Sequence, residues 1–160
     1  ILINRGLDAV AAGYWASIPA IVGFVGALVV PRLAIPEHRL LVMAALFVAT
    51  LLASLMLQGT PGPVMFLGLI LQGIARGSMM TVAILILMEA PSVPKERLGL
   101  AGGLFFTVAE VGGVLGPLSF GILSDFSGNF VLPLASITVV SVTLLLVLLA
   151  LRATPGAIAR

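Results

Sequence analysis

Five long apolar runs, separated by short polar segments, are the feature that most limits what this sequence can fold into. The runs cover residues 9–30, 40–58, 64–88, 98–123 and 130–151. Each is close to the ~20 residues that an α-helix needs to cross the hydrocarbon core of a bilayer. None alternates as a barrel strand does, and all exceed the length of barrel strands. The pattern predicts an all-α, polytopic transmembrane helix bundle with five spans in one domain, residues 1–160.

The composition favours lipid over water as the surrounding solvent. Charged residues make up 9% of the 160-residue chain and hydrophobic residues 61%, with a mean hydropathy of +1.28. Soluble globular domains carry about 25% charged residues, because their surfaces face water. The composition therefore excludes a soluble binding module, and the net charge of +2 is too small to suggest nucleic-acid binding. Because the hydrophobic sequence starts at Ile1 with no visible signal peptide, we interpret the chain as a fragment or a processed chain.

Basic residues in the connections predict the orientation in the membrane. The connections at 31–39, 59–63, 90–97 and 124–129 are rich in turn formers, and with five spans they alternate between the two sides. One side holds six basic residues, namely Arg32, Arg39, Lys95, Arg97, Arg152 and Arg160. The other side holds only Arg5, and short loops with excess positive charge stay cytoplasmic. We therefore expect an integral protein of the cell (plasma or inner) membrane with a cytoplasmic C-terminus.

Two charged residues lie deep inside the apolar runs. Arg76 is the thirteenth residue of the third run and Glu110 the thirteenth of the fourth. Counted from the predicted cytoplasmic ends at ~1.5 Å per residue, both lie roughly 18–20 Å into the membrane. A charge at mid-bilayer costs ~2.5–3.5 kcal/mol even on the lenient insertion scale, so both should face the protein interior or a wet cavity. Gln72 shares a helix face with Arg76, and Thr107 shares one with Glu110.

These polar positions allow more than one interpretation. Arg76 and Glu110 could neutralise each other and only hold two helices together. Alternatively, they line a central solute pathway in which Glu110 carries protons and Arg76 attracts anions, since ionisable groups inside a membrane are functional by default. In a third interpretation, the partner of one charge lies in sequence outside this chain. Tyr14, beside Trp15 near the outer end of the first run, belongs either to an interfacial aromatic belt or to a substrate-stacking site.

Other polar residues predict helix contacts more than binding sites. Three of them recur every four residues on the second run, which is typical of hydrogen bonds between helices: Thr50, Ser54 and Gln58. Glu89, at the end of the third run, is expected to meet lipid headgroups or Lys95 and Arg97. His38 is the only histidine and cysteine is absent, so we expect no metal site and no cofactor.

The fourth run is rich in glycine. Small residues spaced four apart let helix backbones approach closely in lipid. Three such pairs occur there: Gly99 with Gly103, Ala109 with Gly113, and Gly112 with Gly116. Pro117 removes one backbone hydrogen bond and should bend this helix near its outer third. We therefore predict helix-packing and hinge roles for Gly112, Gly113, Gly116 and Pro117.

The same run carries a family resemblance. The stretch Gly112-Gly-Val-Leu-Gly-Pro-Leu-Ser-Phe-Gly-Ile-Leu-Ser-Asp-Phe-Ser-Gly128 resembles the eleventh helix and the following outer turn of major facilitator superfamily transporters. The basic loop that runs into a glycine-rich helix, Pro94-Lys-Glu-Arg-Leu-Gly-Leu-Ala-Gly-Gly103, is also typical of that family. Among its subgroups, the chain looks most similar to cyanate-, nitrate- and nitrite-type permeases. One departure is the loop after the first run, where Ile35-Pro36-Glu37 stands in place of the family's Asp-Arg-x-Gly pattern.

The resemblance implies a secondary transporter that moves a small solute, such as a small anion, by alternating access between two six-helix halves. The five runs would be helices eight to twelve of twelve, with Arg76 and Glu110 on cavity-lining helices ten and eleven. The implied partners are the lipid bilayer, a small-molecule solute and a missing N-terminal half of the same protein. The alternatives are a multidrug or metabolite exporter of the same fold and a non-transporting structural subunit. An enzyme is not expected, because no span carries a catalytic constellation.

Thiol labelling tests the predicted orientation directly, because the chain contains no cysteine. Single cysteines introduced as Thr60→Cys and Ser92→Cys flank the third run. In sealed vesicles, we expect a membrane-impermeant maleimide to label Ser92→Cys only from the cytoplasmic side of the membrane. Thr60→Cys should be labelled only from the opposite side. Labelling of both from one side would contradict a membrane span between them, and the opposite pattern would contradict the orientation.

Overall fold

The computed structural model describes Gly6 and residues 8–153, with side chains as far as residue 150. Five long helices follow one another: α1 (Ala9–Leu33), α2 (Arg39–Met56), α3 (Pro63–Met88), α4 (Leu98–Ser127) and α5 (Val131–Ala153). Single-turn 3₁₀ helices precede α2 and α4, at Pro36–His38 and Lys95–Arg97, and no strand occurs within the described part. All five helices are long and apolar enough to cross a membrane. The predicted all-α bundle is confirmed, and its helices indicate an integral membrane protein.

Local sequence explains several helix ends. The Asp8 side chain caps α1 by accepting a hydrogen bond of 2.7 Å from the backbone N–H of Ala11. Pro63 lies in the first turn of α3, where a backbone N–H has no intrahelical partner to lose. Gly128 ends α4 with a positive φ of 64°, a conformation that glycine adopts without steric cost.

Two helices, α1 and α4, extend three or four residues beyond the predicted runs. The prediction of a connection starting at Pro31 is wrong, because α1 continues to Leu33 and the Ala34 N–H still bonds the Val30 carbonyl at 3.0 Å. The prediction that α4 ends before residue 124 is also wrong, since it runs through Asp125 to Ser127. Polar residues in the sequence limit an apolar run, whereas a helix ends only where its backbone hydrogen bonding ends.

The third helix lies at the centre of the bundle. α1 and α2 pack on α3, α5 packs on α2, and α4 makes only slight contact with α3 and α5. The core cluster of buried side chains joins the end of α1 to α2 and α3: Ala34, Met43, Leu46, Ala75 and Val82. In contrast, α4 has no buried residue. Within the described chain, α4 is therefore the least covered helix.

Glycine backbones form the α1–α3 crossing. A Cβ added to Gly77 would lie 2.1 Å from the carbonyl oxygen of Gly23, and one added to Gly73 would lie 2.6 Å from that of Pro19. Real Cβ atoms do not come this close to backbone oxygens, so glycine is needed at both positions on α3. None of the packing contacts predicted from the sequence includes this crossing.

The α4 glycines that were predicted to pack closely have open surroundings, unlike the α3 glycines at the crossing. A Cβ added to Gly112, Gly113 or Gly116 of α4 would meet nothing within 4 Å. No described helix packs against them, so their packing role stays a prediction that requires a partner outside the described residues. Pro117 lies inside α4, which continues past it to Ser127, and its hinge role likewise stays a prediction.

Hydroxyl groups join α2 to α5. The Ser54 and Thr138 hydroxyls are hydrogen-bonded to each other across the two helices, which confirms the expectation for Ser54. The expectation is wrong for Thr50 and Gln58, whose side chains donate to carbonyl oxygens of α2 itself, at 3.0 Å and 3.3 Å. A carbonyl one turn earlier in the same helix is always within reach of such side chains, so spacing alone does not identify the partner.

We expect a double-mutant cycle between Ser54→Ala and Thr138→Val to give a coupling energy of about 0.5–1.5 kcal/mol, as for other hydrogen bonds between membrane helices. The measurement is the free energy of unfolding in bicelles for the two single variants and the double variant. Thr143→Val is the matched control, because Thr143 donates to Val139 of its own helix. A coupling equal to that of the Ser54→Ala and Thr143→Val pair would contradict an interhelical bond.

Candidate functional site

The two intramembrane charges lie at matching positions on α3 and α4. Arg76 lies twelve residues before Met88, the last residue of α3, and Glu110 lies twelve residues after Leu98, the first residue of α4. Those two helix ends are joined by the short connection between α3 and α4. At ~1.5 Å per residue, both charges are therefore about 18 Å from the same end of the bundle.

Arg76 and Glu110 do not form an ion pair with each other. Both residues are exposed, and the ion pair among the described residues joins Arg39 to Glu89 instead. No hydrogen bond or ion pair involves either Arg76 or Glu110 within the described part. The structure therefore does not support the interpretation in which these two charges neutralise each other.

The α4 face around Glu110 has little side-chain cover. Gly103 and Pro117 lie seven residues to either side of Glu110, which places all three on one helix face. Thr107, also exposed, donates its hydroxyl to the Gly103 carbonyl at 2.8 Å. A Cβ added to Gly103 would meet nothing within 4 Å. Glu110 therefore places an acidic group on an open helix face of the described chain, where it is able to accept hydrogen bonds.

The residues around Arg76 are less exposed than those around Glu110. Gln72, one turn earlier on α3, is half-buried. Ala75 and Gly77, directly before and after Arg76, pack towards α2 and α1. The guanidinium of Arg76 thus projects from the part of α3 that neither helix covers. It offers five N–H donors and a permanent positive charge to an anion.

The two neighbouring aromatic residues of α1, Tyr14 and Trp15, lie in different environments. Tyr14 is 73% exposed. The ring of Trp15 meets the ring of Phe66 on α3 edge-on, with centroids 6.0 Å apart and an interplanar angle of 79°. Trp15 therefore joins the N-terminal parts of α1 and α3, while both interpretations of Tyr14, as belt residue and as stacking site, stay open.

The structure adds a polar cluster that sequence analysis missed, at the end of the bundle predicted to be cytoplasmic. Arg39 donates from Nε to the Ala34 carbonyl at 3.0 Å and from Nη1 to the Leu85 carbonyl at 3.4 Å, and it forms the ion pair with Glu89. One guanidinium therefore connects the ends of α1, α2 and α3.

The Arg39 cluster corrects the expectation that Glu89 pairs with Lys95 and Arg97, whereas the expected contact of Glu89 with lipid headgroups stays a prediction. The Arg39 side chain is 13% exposed and that of Glu89 49% exposed, so the pair lies at the edge of the bundle. A signal was present in the sequence, because Arg39 and Glu89 both stand at boundaries of apolar runs on one predicted side. The spacing of fifty residues between them gave no hint of the contact.

We expect Arg39→Ala to destabilise the bundle by about 2–4 kcal/mol, because it removes charge-assisted hydrogen bonds to two helix ends. Glu89→Gln should cost about 0–1 kcal/mol, since that half-exposed side chain supplies one ion pair. Arg32→Ala, at an exposed position in the last turn of α1, is the control. Unfolding in bicelles measures all three, and equal losses for Arg39→Ala and Arg32→Ala would contradict the role of the cluster.

Comparison with known proteins gives no assignment for this arrangement. No family model, no curated protein and no solved structure matches the chain. The fold and the positions of the polar side chains are therefore the basis for any functional proposal.

Proposed function

We propose that this chain forms one wall of a pathway by which a secondary transporter moves a small solute across the membrane. The observation that carries the proposal is the pair Arg76 and Glu110, of opposite charge, at matching depth on two membrane-spanning helices, and without partners in the described structure. Each charge costs ~2.5–3.5 kcal/mol at mid-bilayer even on the lenient scale. Polar surroundings, such as a wet pathway, remove that cost, whereas contact with acyl chains would leave it in full.

The two residues have different roles in this proposal. Arg76 provides positive potential and a planar set of donors, which fits a small anion with two or more oxygen or nitrogen acceptors. Glu110 carries the coupled proton or exchanged ion. Gln72 and Thr107, on the same helix faces, and Tyr14, at the outer end of α1, are candidate contacts along the route.

The resemblance of Gly112–Gly128 and Pro94–Gly103 to major facilitator superfamily transporters supports the same function. In such a transporter, α1 to α5 would be helices eight to twelve, and a second wall would come from an N-terminal half outside this chain. The uncovered face of α4 is consistent with a missing neighbour. Gly112, Gly113, Gly116 and Pro117 would then pack or bend against that half.

Transport by the natural full-length protein in proteoliposomes tests the proposal, with nitrate and nitrite as probe anions. We expect Arg76→Ala to lower uptake by about tenfold or more, which corresponds to a loss of about 1.4 kcal/mol in binding, and Arg76→Lys to retain part of it. Glu110→Gln should abolish the dependence of uptake on an imposed pH gradient, because the amide cannot carry a proton.

Arg32→Ala is the matched control for these variants, because it removes an arginine at the end of α1, outside the proposed pathway. Uptake by that variant should equal uptake by the unmodified protein. Normal uptake by both Arg76→Ala and Glu110→Gln would remove these residues from the mechanism. Transport of the lipophilic cation ethidium, without anion uptake, would favour the multidrug exporter instead.

A further inference from the structure

The α1–α3 crossing is made by backbone against backbone. Gly23 of α1 lies between Gly73 and Gly77, which are one turn apart on α3. A Cβ added to Gly77 would lie 2.1 Å from the Gly23 oxygen, and one added to Gly23 would lie 2.9 Å from the Gly73 oxygen. No flexible side chain separates the helices at these points. The contact therefore limits both the rotation of α3 about its axis and its sliding along α1.

Three consecutive residues of α3 face three different directions. Ala75 is 1% exposed and lies in the core cluster with Met43 and Leu46 of α2. Gly77 faces α1 across the crossing. Successive residues of an α-helix are about 100° apart around the axis, so Arg76 between them faces the direction that neither α1 nor α2 covers.

We infer that Gly23, Gly73 and Gly77 are positioning residues that set the depth and the direction of Arg76. The inference rests on the proposed function, which gives Arg76 its role in the pathway. A methyl group at Gly77 would meet the backbone of Gly23, and because that backbone cannot rotate away as a side chain could, α3 must turn or move from α1. Either movement redirects Arg76, one residue away on α3.

A nitroxide at position 76 measures this direction without depending on transport. The chain has no cysteine, so Arg76→Cys gives a single attachment site. The accessibility of the nitroxide to oxygen, which concentrates in lipid, is compared with its accessibility to a water-soluble nickel chelate. We expect Gly77→Ala to change the ratio of the oxygen accessibility to the nickel-chelate accessibility several-fold. Gly102→Ala should not change it, because a Cβ there meets nothing within 4 Å.

A second reporter separates redirection of Arg76 from general loosening of the bundle. Leu104→Cys lies on α4 and is 65% exposed, so its nitroxide should give the same ratio with and without Gly77→Ala. If Gly77→Ala does not insert, Gly26→Ala is a milder change at the same crossing, where the added Cβ would lie 3.0 Å from Ser78 Oγ and 3.1 Å from the Ile74 Cα. If both variants fail to insert while Gly102→Ala inserts, the crossing is needed for folding and not specifically for positioning Arg76. That result would overturn the inference.

The other outcomes are also decisive. An unchanged ratio at position 76 in inserted Gly77→Ala protein, or an equal change at position 104, would overturn the inference while leaving the proposed function intact. With Arg76 present, Gly77→Ala should raise the KM for nitrite uptake more than it lowers the maximal rate, and Gly102→Ala should change neither. Absence of anion uptake by the unmodified protein would count against the proposed function, whereas the nitroxide result would still test the positioning.

Discussion

The contact between α1 and α3 is the interaction on which the rest of the bundle depends. Lipid tails are as apolar as the helix surfaces, so association in a membrane comes from close packing and hydrogen bonds. Glycines at the crossing bring the two backbones together, and α2 then packs on another side of α3 through Met43 and Leu46. α5 adds to α2 through the Ser54–Thr138 hydrogen bond. The packing therefore extends outward from α3 and leaves α4 at the margin.

Two arginines show how position along a helix decides what a charge can bind. Arg39 stands where helices end, and the last carbonyl groups of a helix have no intrahelical donor. It bonds two carbonyl groups near such ends and one carboxylate. Arg76 stands in the middle of α3, where the surrounding carbonyls already accept bonds within their own helices. A mid-membrane guanidinium therefore depends on water, solute or another segment for its partners.

The α1–α3 crossing and the position of Arg76 depend on each other. The crossing that holds the bundle together also fixes which face of α3 is left open, and Arg76 lies on that face. Glu110 lies at the same depth on the one helix that the described bundle leaves uncovered. Structural packing and the proposed chemistry therefore use neighbouring residues of one helix, and in the proposed pathway the geometry depends on the same crossing that stabilises the bundle.

The sequence by itself determined the number and type of the helices, most of their boundaries to within a few residues, and the positions of Arg76 and Glu110 along their helices. Those properties depend on hydropathy and on the rise per residue, which are local to each helix. Only the tertiary structure decided that Gly73 and Gly77, and not the glycines of α4, form the close contact, and that Arg39 pairs with Glu89. Partner choice depends on how two helices are rotated and placed relative to each other, and a glycine pair or a lone charge carries the same local pattern whether a neighbour is present or absent.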